Sequence, residues 1–304
     1  MNKIDLRVSI AGVEWKNPIT TASGTFSAKD SGEFYDLNEL GAMTTKGVSL
    51  VPWAGNDTPR IAETYGGMLN SVGLQNPGVD YFIREELPYL RQFNCPVIAN
   101  VAGKTEEEYC RVVERLSETD VDMLEINISC PNVKEGGIGF GTDAEMAYKV
   151  INAVKKFTDK PVVVKLTPNV TDITEIARAV EAAGADAVSL INTLLGMRID
   201  VHRKKPVLAN IMGGFSGPAI KPVAVRMVYQ VRRAIELPII GIGGIMTGED
   251  VVEFLMAGAD AVAVGTAALV DPTAPVRIKA ELIEYMKQYN YSTIKGLRDR
   301  FPVP

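Results

Sequence analysis

The stretch AGADAV occurs at residues 183–188 and again at 257–262. In both copies a glycine stands where a helical pattern stops, an aspartate follows, and an apolar run begins. Upstream of the first copy, DITEIARAVEAAG (172–184) spaces its apolar residues by three and four; GEDVVEFLMAG (248–258) does the same before the second. The stretch therefore reads as a joint from helix to strand, with glycine as the helix stop, and not as the period of a solenoid. Further apolar runs lie along the chain at PITTAS (18–23), AMTTKGV (42–48), PVIANV (96–101), DMLEINI (122–128), PVVVKL (161–166), AVSLI (187–191), PIIGIG (238–243) and AVAVG (261–265). Helical patterns separate several of them, among them TEEEYCRVVERLSE (105–118), which opens on a threonine cap and acidic residues, and PVAVRMVYQVRRAI (222–235). Strands alternating with helices imply parallel pairing through right-handed crossovers. Eight such units predict an α/β fold of the (β/α)8 barrel type rather than an open sheet. The first residues, MNKIDLRVSIAGVEWKN, alternate as a short amino-terminal hairpin would. No Pro-, Gly- or Ser-rich linker and no shift in composition interrupts the chain, so residues 1–304 are expected to form a single domain.

Composition excludes several functions. A net charge of −5 and a pI near 5.2 argue against a nucleic-acid partner. No apolar stretch is long enough to span a bilayer, and the amino terminus lacks a signal-peptide core, which points to the cytoplasm. Three cysteines, Cys95, Cys110 and Cys130, form neither a disulfide framework nor a C-x-x-C pair, so no zinc or iron–sulfur site is evident. His202 is the single histidine and lies in the basic segment DVHRKKP, which disfavours a histidine-based triad.

Three connections, roughly 49–80, 129–143 and 192–221, are too long for simple turns, and long loops of this kind are functional lids or disordered segments. All three follow the carboxyl ends of strands, the face on which barrel enzymes carry their sites. Ser23, Lys46, Asn100, Asn127, Lys165, Asn192 and Thr193 stand at the same strand ends. One buried polar side chain there is ordinarily a satisfied structural group; seven together predict a ligand cage. The last two strands end in GIGGIMTGED and VGTAAL, where Gly243, Gly244, Gly265 and Thr266 would offer backbone N–H groups near helix starts. That is the common phosphate site of barrels, to which Ser216 and Gly217 in GFSGPAIKP add a third side. Glycines alone are weak evidence, because they also serve tight turns. A phosphate cup beside a polar cage suits flavin mononucleotide, with Lys165 facing the pyrimidine edge of the ring, where a cation stabilises reduced flavin. The competing reading makes Lys165 a lysine paired with a neighbouring carboxylate.

Cys130 lies in NISCPN (127–132), just past a strand end and before a glycine-rich run. A cysteine there is packing, a metal ligand, half of a disulfide, or a reactive thiol. Cys95 and Cys110 fit the packing reading. The polar, glycine-rich neighbours of Cys130 favour a thiol on a loop that closes and opens.

NISCPNVKEGG taken with TKGVS, NSVGLQNPG, VKLTPN, INT, GGFSGPAIKP, GIGGI and VGTA resembles dihydroorotate dehydrogenase, and specifically the class 1B catalytic subunit. The resemblance runs in order from ASGTF (22–26) to IKGLRDR (294–300). It implies a single FMN-binding (β/α)8 TIM barrel, with a short N-terminal hairpin and long loops at its C-terminal face. Such an enzyme oxidises (S)-dihydroorotate to orotate in pyrimidine biosynthesis. It further implies that Cys130 is the catalytic base taking the proton from carbon 5, while the hydride leaves carbon 6 for FMN. Lys46, Asn70, Ser71, Val72, Gly73, Leu74, Asn127, Asn192 and Thr193 would hold the substrate. Ser23, Lys46, Gly47, Asn100, Asn127, Lys165, Ile191, Gly217, Gly243, Gly244, Gly265 and Thr266 would hold FMN. The residue types suit this chemistry. A free thiol titrates at roughly 8.5, near enough to working pH to act as a base. Asparagines pair with the alternating N–H and C=O edge of a pyrimidine, and Lys46 offers a cation for the substrate carboxylate. NAD⁺ as final acceptor would be reached through a partner subunit carrying FAD and a [2Fe–2S] cluster, in a heterotetramer of two plus two chains. The lack of a cysteine cluster and of a dinucleotide fingerprint here is consistent with that division. Two other readings stand beside it: the pyrimidine-reducing module of a dihydropyrimidine dehydrogenase, separable by orotate against uracil binding, and a non-enzymatic ligand-binding barrel, which would be colourless.

Overall fold

A computed structural model describes residues 4–129 and 139–299. Eight parallel strands, β1 (Ile19–Thr21), β2 (Met43–Thr44), β3 (Val97–Val101), β4 (Met123–Asn127), β5 (Val162–Lys165), β6 (Ala187–Leu190), β7 (Ile239–Ile242) and β8 (Ala261–Val264), form one sheet. Its order is β1-β8-β7-β6-β5-β4-β3-β2. All eight expected strands are present. Between β1 and β2 the ring is sealed largely by side chains. Gly41 N donates to Ile19 O at 2.8 Å, Thr20 Oγ1 donates to Ala42 O at 2.9 Å, and Thr21 Oγ1 accepts from Thr44 N at 3.0 Å.

The repeated AGADAV joint has a physical function in this closure. Gly184 and Gly258 adopt φ of 94° and 110°, which ends the helices α3 (Ile173–Ala182) and α5 (Gly248–Met256) with no Cβ penalty. The aspartate that follows reaches across to the neighbouring strand: Asp186 Oδ2 accepts from Val162 N at 2.8 Å, and Asp260 Oδ2 from Ile239 N at 2.8 Å. Asp122, at the start of β4, does the same for Val97 N at 2.7 Å. Lys155, Arg232 and Arg91 pair with these three carboxylates. The starts of β3, β5 and β7 are thus clipped to the next strand by a side chain as well as by the main chain, since the same aspartates donate their N–H to Val97 O, Val162 O and Ile239 O.

Outside the ring, α1 (Glu106–Ser117), α2 (Ala144–Val154), α3, α4 (Lys221–Arg232), α5 and α6 (Ala274–Gln288) lay their apolar stripes on the sheet. The start of α1 follows the sequence reading, Thr105 accepting from Glu108 N; at α5, Thr247 with Asp250 forms a capping box that the sequence reading does not name. Below the ring, the hairpin Val8–Ile10 and Val13–Trp15 turns through Ala11 and Gly12. It pushes Ile10 and Trp15, both fully buried, against Ala42, Ile98, Met123, Val163, Ala187, Ile240 and Ala261. This second core fills the floor of the barrel.

Two of the three long connections differ from expectation. Segments 49–80 and 192–221 co-fold into one four-stranded antiparallel sheet, Leu194–Met197, Met212–Ser216, Gly67–Asn70 and Ile61–Thr64 in that order. Met212–Ser216 pairs with Gly67–Asn70 through Gly214 opposite Asn70. Strands of four or five residues, three of the four containing glycine, leave little periodicity to read, and the pairing that joins the two segments links residues far apart in sequence. Of the third connection, residues 130–138 lie outside the described residues.

Candidate active site

A deep cavity opens at the carboxyl ends of the strands, roofed by the antiparallel sheet. Strand-end residues line its base: Ser23 after β1, Lys46 after β2, Asn127 at the end of β4, Lys165 at the end of β5, and Ile191, Asn192 and Thr193 after β6. The roof adds Asn70, Val72, Gly73 and Leu74 from the first long connection. Gly217, Gly243, Gly244, Gly265 and Thr266 close the remaining side. Most of the expected substrate and cofactor residues therefore meet in one place.

Three do not reach the cavity wall. Asn100 is fully buried beneath it, and Gly47 packs over Asn100, where an added Cβ would lie 3.1 Å from Oδ1. Ser71 is fully buried, its N–H bound to Arg60 O and its Oγ without a partner among the described residues. Cys130 lies outside the described residues. The other two cysteines do behave as packing groups: burial pushes the Cys95 thiol up to about 12 and raises that of Cys110. Both are poor thiolates at neutral pH. His202 is exposed in the hairpin of the second long connection, away from the cavity.

At the glycine side, the sequence forces open backbone. Gly244 takes φ of 75°, and a Cβ there would fall 2.7 Å from Lys221 Cβ. The N–H groups of Gly244 and Thr266 have no main-chain acceptor among the described residues. Thr266 Oγ1 meets Ser216 Oγ at 2.8 Å, joining β8 to the roof. Asp250 fixes the turn from behind: it accepts from Met246 N and Thr247 N and pairs with Lys221 at 2.6 Å. Burial pushes its carboxyl upward, but Lys221 and the two N–H groups outweigh burial and hold it below the usual carboxylate range. Unpaired N–H groups on a rigid turn are a fit for a phosphate.

On the opposite side the wall is amide-rich and cationic. Lys165 is 5% exposed, yet among the described residues its ammonium has only Ser23 Oγ at 3.2 Å and Glu125 Oε2 at 3.9 Å. An ammonium has three donors, so Lys165 has capacity left for an acceptor in the cavity. This is the site's best fit to the pyrimidine edge of a flavin. Asn127 and Asn192 are joined through Ser129: Asn127 Oδ1 accepts from Ser129 Oγ at 2.9 Å, and Asn192 Nδ2 donates to the same oxygen at 2.8 Å. Asn169 of VKLTPN donates to Thr193 O and accepts from Leu195 N, tying the site to the roof. Sequence reading misses Glu125, Ser129 and Ser189. Glu125 is hidden in an apolar run, although it lies two residues before Asn127 and so shares its face of the strand.

The chain has recognisable relatives. The dihydroorotate dehydrogenase family profile matches residues 5–286. The dihydroorotate dehydrogenase B (NAD(+)) catalytic subunit of Alkaliphilus metalliredigens (strain QYMF) is 62% identical over 299 residues, 98% of this chain and 99% of that one. The protein of the same name from Geobacter sulfurreducens (strain ATCC 51573 / DSM 12127 / PCA) is 56% identical, over 98% of each chain. Among solved structures, dihydroorotate dehydrogenase of Eimeria tenella in complex with ferulenol superposes with a TM-score of 0.79 at 22% identity, covering 98% of this chain and 89% of that one; it is a likeness of fold. With the profile spanning nearly the whole barrel and relatives this similar from end to end, the chain belongs to the dihydroorotate dehydrogenase family.

Proposed function

We propose that this chain is a single FMN-binding domain, the catalytic subunit of an NAD-linked dihydroorotate dehydrogenase that oxidises (S)-dihydroorotate to orotate in the cytoplasm. The observation that carries the reading is the continuity of the cavity. Turns with open N–H groups at Gly244 and Thr266 and an amide-and-ammonium wall at Asn127, Lys165 and Asn192 face one space, wide enough to be lined from seven strand ends. Two relatives, of 62% and 59% identity, carry the NAD-linked catalytic subunit's name. Among the described residues no helix is long and apolar enough to cross a membrane.

When bound, FMN supplies the acceptor for the hydride that leaves carbon 6. The chain's own residues do the rest. Gly217, Gly243, Gly244, Gly265 and Thr266 would bind the phosphate, and Lys165, with Ser23 beside it, would compensate negative charge at the pyrimidine edge. Gly47, Asn100 and Ile191 shape the bed of the ring. Lys46 holds the substrate carboxylate; Asn70, Asn127, Asn192 and Thr193 pair with the ring's amide edge, and Ser71 to Leu74 complete the cover. Cys130 would take the proton from carbon 5. Electrons leave through a partner subunit with FAD and a [2Fe–2S] cluster, in an assembly of two chains of each kind.

The test is anaerobic mixing of the purified yellow protein with dihydroorotate. The flavin absorbance band should bleach in a single turnover, and NAD⁺ reduction should appear only when the partner subunit is added. A colourless protein, or a yellow one whose band survives dihydroorotate, overturns the assignment. Robust NAD⁺ turnover by this chain alone overturns the partner requirement.

A further inference from the structure

Glu125 has no part in that scheme, yet it is the one buried carboxylate of the barrel interior among the described residues, at 3% exposure. Its Oε2 accepts from Asn100 Nδ2 at 2.5 Å and its Oε1 from Ser189 Oγ at 2.7 Å. Lys165 Nζ stands 3.9 Å from Oε2. A carboxylate so placed is costly to bury, and removing one partner of such a pair is more costly still.

An ionised carboxylate can only accept. Asn100 must therefore present its NH₂ to Glu125, which turns its Oδ1 toward Asn127. Asn127 answers with Nδ2 at 3.5 Å, a long contact, and this leaves its own Oδ1 to accept from Ser129 N at 3.3 Å and Ser129 Oγ at 2.9 Å. Ser129 Oγ has then used its one proton, so it accepts from Asn192 Nδ2 at 2.8 Å. Asn192 Oδ1 in turn accepts from Thr193 N at 2.7 Å. Glu125 sets the sense of Asn100; Asn127 is held in the matching sense by Ser129 N–H as well, and Asn192 by Ser129 O at 3.3 Å and Thr193 N–H. Asn100, Asn127 and Ser129 are at most 4% exposed, so water does not reset the chain.

We propose that Glu125 is a positioning residue. It fixes which end of Asn100 meets Asn127 at the base of the cavity, and it holds the Lys165 ammonium there. The inference rests on the FMN and dihydroorotate reading given above. With an apolar side chain at 125, Asn100 can turn over and set its NH₂ against that of Asn127, which Ser129 N–H keeps in place, so the substrate-facing amide is displaced.

Two variants of the holoenzyme test this, each read by spectroscopy of bound FMN. Glu125→Met removes the acceptor. Orotate affinity, titrated by the shift of the flavin spectrum, should fall by about tenfold or more while FMN stays bound; affinity within about threefold of wild type overturns the proposal. Glu125→Gln keeps the shape and one acceptor but removes the charge beside Lys165. The midpoint potential of bound flavin should rise, because the ammonium is no longer compensated; an unchanged or lowered potential overturns the proposal. If Glu125→Met does not fold, the potential of Glu125→Gln decides alone. Wild-type protein that binds no FMN or no orotate defeats the functional reading instead, before either variant is made.

Discussion

The interior of the barrel has two storeys built from the same strands. In the lower one, Ile98, Met123, Val163, Ala187, Ile240 and Ala261 point inward and close on Trp15 and Ile10 of the hairpin. Two residues further along each strand, on the same inward face, stand Asn100, Glu125, Lys165, Ser189, Ile242 and Ala263. Four of these six positions, on β3 to β6, have become polar, all at 5% exposure or less. On β7 and β8 the interior stays apolar and gives way to glycine turns. One step of the pleat thus separates packing from chemistry, and the polar half-ring faces the glycine half-ring across the mouth. The lower storey gains by excluding water; the upper one gives up that gain to hold charges and amides ready for a ligand.

Four substitutions test this division, in order of expected effect. Cys130→Ala should keep flavin but slow its bleaching by dihydroorotate by about 10²–10⁴, the loss typical of a missing general base; near wild-type rates in stopped flow would remove that thiol from the role. Trp15→Ala acts on the floor. It should cost about 3–5 kcal/mol in urea unfolding and leave the bleaching rate of the surviving folded protein unchanged; a slowed rate would mean that the two storeys are not separable. Asp250→Ala sits between them, because it loosens the turn at Gly243 and Gly244 from outside. A loss of about 1–2 kcal/mol is expected from the capping box, together with weaker FMN binding. The sign of its pH dependence follows from the lowered carboxyl: its contribution is complete above the unfolded value of roughly 3.9 and disappears as pH falls through the lower folded value. Equal acid sensitivity in wild type and variant would contradict this. Cys110→Ala is the smallest, about 1 kcal/mol from lost packing with no change in rate; any rate loss beyond that of a destabilised protein would undo the contrast between the thiols.

The barrel was legible because its signals are local. AGADAV gave the joint, β-branched runs gave the strands, and Thr105 gave a helix start that the structure keeps. Lys46, Asn127, Lys165 and Asn192 were legible as site candidates because polar residues at buried strand ends are costly without a ligand. The roof was not legible. Its pairing of Gly214 with Asn70 joins distant segments, and nothing in either short strand announces the other. Glu125 escaped for a different reason: the run DMLEI scores as apolar, and only the alternation of the strand shows that its glutamate points the same way as Asn127. Ser129 and Ser189 escaped likewise, since a serine in a core reveals its purpose only through its hydrogen-bond partners.

The seam of the barrel has a consequence for how the molecule is made. β1 pairs not with its neighbour in sequence alone but with β8, Thr20 lying opposite Ala263, and Asp5 N reaches Ser292 O at 2.8 Å. On a ribosome the first strand of the ring must therefore wait, with one edge open, until the eighth strand of the ring has been translated. Ring closure is bound to be a late event governed by long-range pairing, slow by the standard of local helix formation. Until then the growing nascent chain is exposed to aggregation along that edge.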